Sequence, residues 1–502
     1  MRMNNANDNV STDSNAITSL FRDKIHYGRK RIILDFEEVN PNNVIEVLQK
    51  ALNIHASNRR DCEYLIEYFL GKQDILFRPS PSTSNINNQI VVNYAYPTTR
   101  EIVGYTLSSP VELIPKDSKD KDEIKKVSDA YDYESLNTTD MCAAVYASIC
   151  GVGYYITLPS TEITKDNTPE IPIVMDYLDP RDTFVVQSNS VGTPQIMSCT
   201  IIKKNDGKRV YVCYTDDYKM VVENMQVVTW EVNPMGKDPI TMLENSLFLT
   251  GDWEQAISVM NALNLVVSDS LNDIEGTIRS LLVILGTEFD DGEEASLKKI
   301  RDNRLLSLAS PSGTNVDAKF IAPQLESTSV ENIREYLDAA RNIITGIPDR
   351  ENNGGGGDTG TAVLNRNGWT DIEIVAKLKE MFIKKARKGQ LAVALNILKK
   401  LGLIDKDLRV MDIDVTISRH STDNLSTKTT AFATLVATGE LATADALELS
   451  GLTNRVTEMV ERGKKEKEER AKLEQKNKQP QKNDENPDNQ DDEDKQDETD
   501  PV

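Results

Sequence analysis

The chain has 502 residues, of which 39% are hydrophobic, 27% charged and 6% aromatic, and its formal charge at pH 7 is −22. This balance is typical of a soluble protein with several domains, and no apolar run reaches the roughly 18 residues that a membrane-spanning helix needs, which excludes an integral membrane protein. A strongly acidic chain also argues against simple electrostatic binding of nucleic acid, which requires a surface with a net positive charge.

The N-terminal half is predicted to be helical first and β-rich afterwards. Residues 1–18 are rich in Asn and Ser, are expected to be disordered, and lack the order of a secretory signal, so we expect a cytoplasmic chain. Apolar spacings of three and four residues predict a helix over 41–52 and a second helix over 59–70, closed by Gly71. Short runs rich in Val, Ile, Tyr and Thr, separated by turn residues, predict an antiparallel sheet within 171–232.

Two long helices with an insertion between them are predicted next. The first starts with Asp252 as its N-cap residue, and its apolar stripe continues to about Leu285. The second covers 328–345. The insertion contains an acidic loop, a short helix and two strand-like runs, near 305–308 and 319–321.

The remaining chain is predicted to be largely helical. A third long helix covers 370–401, with Gly389 as its weak point. One more strand follows at 408–418. Two helices near 426–438 and 442–449 then lead into a charged helix and an acidic tail.

Two loops carry residue types that bind ligands in other proteins. The run Gly354–Gly357 suggests a phosphate loop, but the Gly-Lys-Ser/Thr that such a loop needs is absent, so a mobile loop between two helices is favoured. The acidic residues of 288–294 lack the ligand order of an EF-hand, which favours an exposed loop. Whether this loop binds a divalent cation is left open. Three scattered histidines and five cysteines without a CxxC motif complete no catalytic or metal-binding pattern, so no cofactor is predicted.

Basic residues concentrate in the third long helix, against the acidic background of the chain. The centre of this stretch is Lys384, Lys385, Arg387 and Lys388. We expect this basic cluster to face an anionic partner, either DNA or an acidic surface of an adjoining subunit or shell. A solvated helix face would produce the same pattern.

Five motifs occur in a fixed order along the chain. They are YLIEYFLGKQDIL at 64–76, NYAYPTTREIVGYTLSSPVEL at 93–113, DPITMLENS at 238–246, GGGGDTGTAVL at 354–364 and ATGELATADALELSGLTNRVTEMVERGKKEKEER at 437–470. This order resembles the portal proteins of tailed bacteriophages, in the branch found in long-tailed phages of Gram-positive hosts. The resemblance covers about 58–470.

The resemblance implies an α+β portal-type fold, assembled as a ring that usually has twelve copies. The implied segments are a disordered N-terminus at 1–18, a wing at 19–250 that is helical and then β-rich, a stem helix at 251–285, a small α/β clip at 286–325, a second stem helix at 326–346, a tunnel loop at 347–361, a long wing helix at 362–404, a helical crown at 405–475 and a disordered acidic tail at 476–502.

The resemblance also implies a function and a set of partners. The ring would be a non-enzymatic conduit at one capsid vertex, through which double-stranded DNA is packaged and ejected. Its partners would be non-specifically bound DNA, the terminase large subunit, a head-completion or adaptor protein, scaffold and major capsid protein, with no membrane. It would assemble in the host cytoplasm and remain in the virion. The alternative is a cytoplasmic nucleotide- or metal-dependent enzyme that uses the Gly-rich loop.

The tunnel loop is the expected DNA contact. Its two ends are fixed by patterned helices, while its glycines leave the middle free. In a ring the loop tips would converge on the axis, where polar groups meet phosphates without reading bases. The expected contact residues are Arg350, Asn352, Asn353, Gly354, Gly355, Gly356 and Gly357.

Overall fold

The structure is a computed structural model that describes most of the chain in two compact units, divided between Thr422 and Asp423. The described residues are 27–80, 86–117, 120–133, 135–160, 172–278, 281–285, 305–306, 317–321, 327–348, 369–417, 425–439, 441–450, 452 and 456–477. The predicted disorder of 1–18 and most of the predicted tail therefore lie outside the described residues. Within these ranges, no helix combines the length and apolar character needed to cross a membrane.

The first unit mixes helices and sheets, as an α+β fold requires. Its described helices are α1 (Val44–Phe69), α2 (Ala95–Thr106), α3 (Lys121–Tyr133), α4 (Leu136–Cys150), α5 (Ile257–Ile278), α6 (Ser327–Thr345) and α7 (Trp369–Lys400). The described strands are β1 (Ile32–Leu34), β2 (Val111–Pro115), β3 (Val152–Pro159), β4 (Ile173–Leu178), β5 (Thr183–Ser188), β6 (Gln195–Lys203), β7 (Arg209–Tyr214), β8 (Tyr218–Glu223), β9 (Gln226–Val232), β10 (Ile240–Glu244), β11 (Leu281–Leu285), β12 (Leu305–Leu306), β13 (Asp317–Ile321) and β14 (Ile413–Ile417).

The strands form a large sheet and several small ones. The large sheet has the order β1-β5-β6-β7-β8-β9 and is antiparallel except for the pair β1 and β5. Strand β4, predicted from the same β-rich region, instead joins β3 and β10 in a separate antiparallel sheet. Strand β8, which the sequence reading missed, buries Met220 and Val222 in the core between the large sheet and α1.

One helix replaces the two that were predicted over 41–52 and 59–70. The buried face of α1 is continuous because His55 and Asn58 occupy core positions and have hydrogen-bond partners there. His55 Nε2 lies 3.0 Å from the carbonyl oxygen of Arg181, and Asn58 bonds both backbone groups of Lys30. The helix ends as predicted at Gly71, which has a φ of +92°.

The helix that was expected to form the first stem helix, over 251–285, is shorter than predicted. It ends at Ile278, and Leu281–Leu285 form β11, which pairs with β13 on one side and β12 on the other. The run LLVIL fits a helical stripe and a strand equally well by spacing alone, and strand partners that are distant in sequence decide between them. The small sheet of the predicted clip therefore includes a strand from before residue 286.

Helix α7 is the centre of the largest core cluster. Its C-terminal half buries Leu391, Ala394 and Leu398 against α3, β4 and β14. Residues 405–417 also pack into this cluster, so the start of the predicted crown at 405 lies inside the first unit. The second unit contains α8 (Leu425–Ala437), α9 (Thr443–Ser450) and the charged α10 (Val456–Asn477), which confirms the three predicted C-terminal helices.

Asp238 is a buried carboxyl between the large sheet and β10. Its Oδ1 accepts hydrogen bonds from the Ser198 hydroxyl and, at 3.0 Å, from the backbone N–H of Ile240. Burial raises the pKa of Asp238 to about 7. Since an unfolded aspartate has a pKa of about 3.9, the folded state binds more protons between these values, and Asp238 makes the chain less stable as pH rises from about 4 to about 7.

We expect Asp238→Asn to remove this contribution. The free energy of unfolding of the variant should rise relative to that of the wild type between pH 5 and pH 7, by at most about 1.4 kcal/mol per pH unit and by about half of that near pH 7. Urea titrations at three pH values measure the difference, and the comparison cancels His55, whose pKa burial lowers to about 4 and whose contribution has the opposite slope. Asp206→Asn on an exposed turn is the control, and equal slopes for D238N and the wild type would contradict the expectation.

Candidate functional site

The segment predicted to be the tunnel loop follows the end of α6, which lies beside α7. Gly346 follows α6 with a φ of +67°, and a Cβ atom there would lie 2.8 Å from Cγ2 of Val375 in α7. The backbone N–H of Ile347 returns to the carbonyl of Asn342 at 3.2 Å, which closes the helix end. The chain therefore departs from α6 beside the first turns of α7, so the two ends of the intervening segment lie close together.

The residues expected to contact DNA lie outside the described residues. They are Arg350, Asn352, Asn353, Gly354, Gly355, Gly356 and Gly357. Their proposed contact with DNA stays a prediction. The acidic loop at 288–294 also lies outside the described residues.

The four residues of the basic cluster point in different directions from α7. Lys385 and Lys388 are exposed, and Lys385 Nζ lies 3.0 Å from Oε2 of Glu244 in β10. Lys384 is only partly exposed and pairs at 2.7 Å with Glu380, one turn earlier on the same helix. The exposed part of the cluster is thus Lys385 and Lys388, and their contact with an anionic partner stays a prediction.

The expectation that Arg387 faces a partner is wrong. Its side chain is 2% exposed, and its Nη2 donates to Oδ2 of Asp140 in α4. Nη1 donates to Gln390 at 2.7 Å, and the guanidinium lies 5.5 Å from the centre of the Tyr131 ring. The Arg387 guanidinium stays charged although it is buried, because the Asp140 carboxylate pairs with it. Burial raises the pKa of Asp140, and the positive charge of Arg387 opposes this rise. Arg387 therefore holds α7 to α4.

A network of polar side chains fixes the start of α5, and the sequence reading missed it. Lys379 of α7 lies 2.7 Å from Asp252 and also donates to Asn245. Glu254 is buried, accepts the backbone N–H groups of Gly28 and Gly251 at 2.9 and 2.8 Å, and pairs with the buried Arg29. Burial raises the pKa of Glu254, which Arg29 and the two N–H groups oppose. These contacts anchor α5 to the β-rich region.

A ladder of side chains on α5 holds the extended segment that precedes α2. Asn264 Oδ1, Ser268 Oγ and Asn272 Oδ1 accept the backbone N–H groups of Val92, Ile90 and Asn88 at 2.7 to 2.9 Å. We call these three contacts the Asn–Ser ladder. Four residues of α-helix rise about 6.0 Å, and two residues of extended chain span about 6.7 Å. Side chains four positions apart on α5 can therefore reach backbone N–H groups two positions apart on the segment.

A cavity of about 750 Å³ lies between α2 and α6, beside the point where the chain leaves α6. Its walls include four carboxylates and two guanidinium groups, from Glu101, Glu331, Glu335, Asp338, Arg334 and Arg341. Arg341 stacks 3.6 Å from the centre of the Tyr94 ring and pairs with Asp338 at 2.8 Å. Among the described residues, no three His, Cys, Asp or Glu side chains are grouped as metal ligands would be.

Comparisons with known proteins give one family. The family model described as "Phage portal protein, SPP1 Gp6-like" matches residues 48–473. No curated protein sequence matches the chain. Among solved structures, the neck of a native GTA particle computed with C12 symmetry is 12% identical with a TM-score of 0.44, covering 78% of this chain and 94% of its own. The neck of an empty GTA particle computed with C6 symmetry is 13% identical, with the same TM-score and coverage.

Proposed function

The chain belongs to the SPP1 Gp6-like family of phage portal proteins, and we propose that its copies form a ring at one capsid vertex through which double-stranded DNA is packaged and ejected. The observation that carries this proposal is the family match over 48–473, which includes the whole of the first unit from within α1 onward. The twelvefold ring, the DNA channel and the docking partners are the finer parts of the proposal.

The two helices assigned to the stem support a conduit. Helices α5 and α6 pack on each other within the first unit. Helix α5 carries three acidic residues, Asp269, Asp273 and Glu275, and no basic residue along its 22 residues. A wall with this charge does not attract phosphates, so a duplex passing along it would be held weakly and could slide.

The proposed partners follow from the place of such a ring in a particle. Copies of the chain bind each other, the DNA is bound without sequence preference, and the terminase large subunit docks during packaging. A head-completion or adaptor protein replaces it afterwards, and scaffold and major capsid protein surround the ring. The chain assembles in the host cytoplasm and remains in the virion. It hydrolyses no nucleotide, since the Gly354–Gly357 run lacks the lysine of a phosphate loop, and ATP hydrolysis belongs to the terminase.

The purified chain is expected to form rings with a central hole. Native mass spectrometry should give a species close to twelve times 56.1 kDa, and negative-stain microscopy should show the channel end-on. A monomer or dimer that hydrolyses ATP would favour the enzyme alternative. A large assembly with no hole would indicate a structural capsid protein instead.

A further inference from the structure

All five cysteines lie within the described residues, and four of them form two contacting pairs. Cys62 of α1 lies within hydrogen-bonding distance of Cys150 of α4. Cys199 of β6 lies within the same reach of Cys213 of β7. The sequence has no CxxC motif that would indicate either pair, because the fold and not the local spacing brings the sulfur atoms together.

The register of the large sheet fixes the geometry of the pair Cys199 and Cys213. The two residues are directly opposite each other on antiparallel strands, in a ladder without a bulge. At the hairpin end, the backbone N–H of Lys204 donates to the carbonyl oxygen of Lys208 at 2.9 Å, which marks a hydrogen-bonded pair. Hydrogen-bonded and non-hydrogen-bonded pairs alternate along such a ladder, so the cysteines, five positions away, are a non-hydrogen-bonded pair. The N–H of Ile201 agrees, since it donates at 2.7 Å on the β5 side of the strand.

A non-hydrogen-bonded pair has the separation that a disulfide bond needs. Its Cα atoms lie about 4.5 Å apart, and a disulfide spans Cα separations of roughly 4.4 to 6.8 Å. Opposite residues of a sheet point to the same face, and both cysteine side chains are buried in the core between the large sheet and α1. The two sulfur atoms can therefore bond without a movement of the strands.

We propose that Cys199 and Cys213 form a disulfide bond when the chain meets a peroxide, and that this bond joins β6 to β7. One thiol attacks hydrogen peroxide, the O–O bond breaks, and the sulfur becomes a sulfenic acid while one water molecule leaves. The second thiol attacks this sulfur, the S–S bond forms, and the hydroxyl group leaves as a second water molecule. The two thiols give up two electrons and two protons, which the peroxide takes up.

Burial determines how fast the bond forms. Desolvation raises the pKa of the Cys199 thiol well above its usual range, which lowers the fraction of reactive thiolate. The same thiol also lies 3.9 Å from the carbonyl oxygen of Thr200. We expect slow oxidation of the folded chain, and reduced thiols in the cytoplasm where we propose assembly. Once closed, the bond spans a loop of about 15 residues and restricts the unfolded chain, so it stabilises the folded one.

Peptide mapping of the full-length wild type tests the proposal. One sample is kept with hydrogen peroxide and another with a reducing agent, after which both are unfolded, treated with N-ethylmaleimide to label the remaining thiols, and digested with trypsin. Peptides 182–203 and 210–219 carry Cys199 and Cys213. The oxidised sample should contain these two peptides joined, and a reducing agent should separate them. An oxidised sample in which both peptides carry the label would overturn the proposal.

Thermal unfolding tests whether the bond stabilises the sheet. The Tm of the oxidised wild type should exceed that of the reduced wild type by a few degrees. Cys213→Ser is the matched control, with Cys213→Ala in its place if the serine variant does not fold, and it should show neither the joined peptides nor the rise. An equal rise in this variant, or joined peptides without a rise in the wild type, would contradict the joining of β6 to β7. Neither measurement needs a ring, so its result is independent of the proposed function.

Discussion

Replacing Gly151 with alanine should cost the chain more than about 4 kcal/mol of folding free energy. Gly151 ends α4 with a φ of +79°, and a Cβ atom there would lie 1.8 Å from the carbonyl oxygen of Leu249. That carbonyl cannot easily retreat, because the next residues, Thr250 to Asp252, are hydrogen-bonded to Asn245, Ser246 and Ser148. Both the strained backbone and the collision oppose folding.

A second glycine separates these two costs. Gly192 has a φ of +90°, and no atom lies within 4 Å of the place where its Cβ would stand. Gly192→Ala should therefore show only the cost of a left-handed alanine, about 1 to 2 kcal/mol. Urea unfolding of both variants beside the wild type measures the difference. Similar losses for the two variants would show that the loop at Leu249 yields to the added methyl group.

Arg387→Ala is expected to destabilise the chain by about 3 to 5 kcal/mol, although Arg387 lies in the middle of a basic run. The substitution leaves Asp140 buried without its positive partner, and a buried charge without compensation is costly. Lys388→Ala is the matched control, since Lys388 is the next residue and is exposed, and its loss should stay within about 0.5 kcal/mol.

The double variant Arg387→Met with Asp140→Leu should recover much of the lost stability, because it removes both charges together. Thermal and urea unfolding of the single, double and control variants form one series. Neutralising the whole basic cluster should accordingly destabilise the fold, because the cluster includes Arg387. An Arg387→Ala chain as stable as the Lys388→Ala chain would contradict the structural role of Arg387.

The long helices could be predicted because their apolar spacing is long and regular. The predicted bounds of 328–345 and 370–401 differ from α6 and α7 by one residue at most at each end. The break predicted within α1 was wrong. His55 and Asn58 interrupt the apolar periodicity, but both are buried in the continuous helix, and periodicity does not reveal which tertiary partners satisfy a polar side chain. The end of α5 was missed for a related reason, since β11 depends on strands that lie much later in the chain.

The basic cluster shows what composition leaves undetermined. An α-helix has 3.6 residues per turn, so the side chains of a run of lysines and arginines point in different directions around it. Of two residues next to each other in sequence, one can therefore face solvent and the other the core. Arg387 and Lys388 show both outcomes. Asp140, the partner of Arg387, and Glu244, the partner of Lys385, lie more than 100 residues away from them in sequence. Glu244 belongs to the DPITMLENS motif that the sequence reading singled out.

The Asn–Ser ladder sets a limit on its own length. Helix and extended chain advance by about 6.0 and 6.7 Å per rung, so the mismatch grows by about 0.7 Å with each added contact. Three rungs accumulate less than 2 Å, which hydrogen bonds to flexible amide and hydroxyl groups tolerate. Beyond the third rung the arrangement changes, and the side chain of Asn88 reaches Glu275, three residues after Asn272, at 2.7 Å. A longer ladder of this kind would have to curve the extended chain or skip a residue. A helix and an extended segment, whose repeat lengths differ, can therefore stay in register only over a short distance.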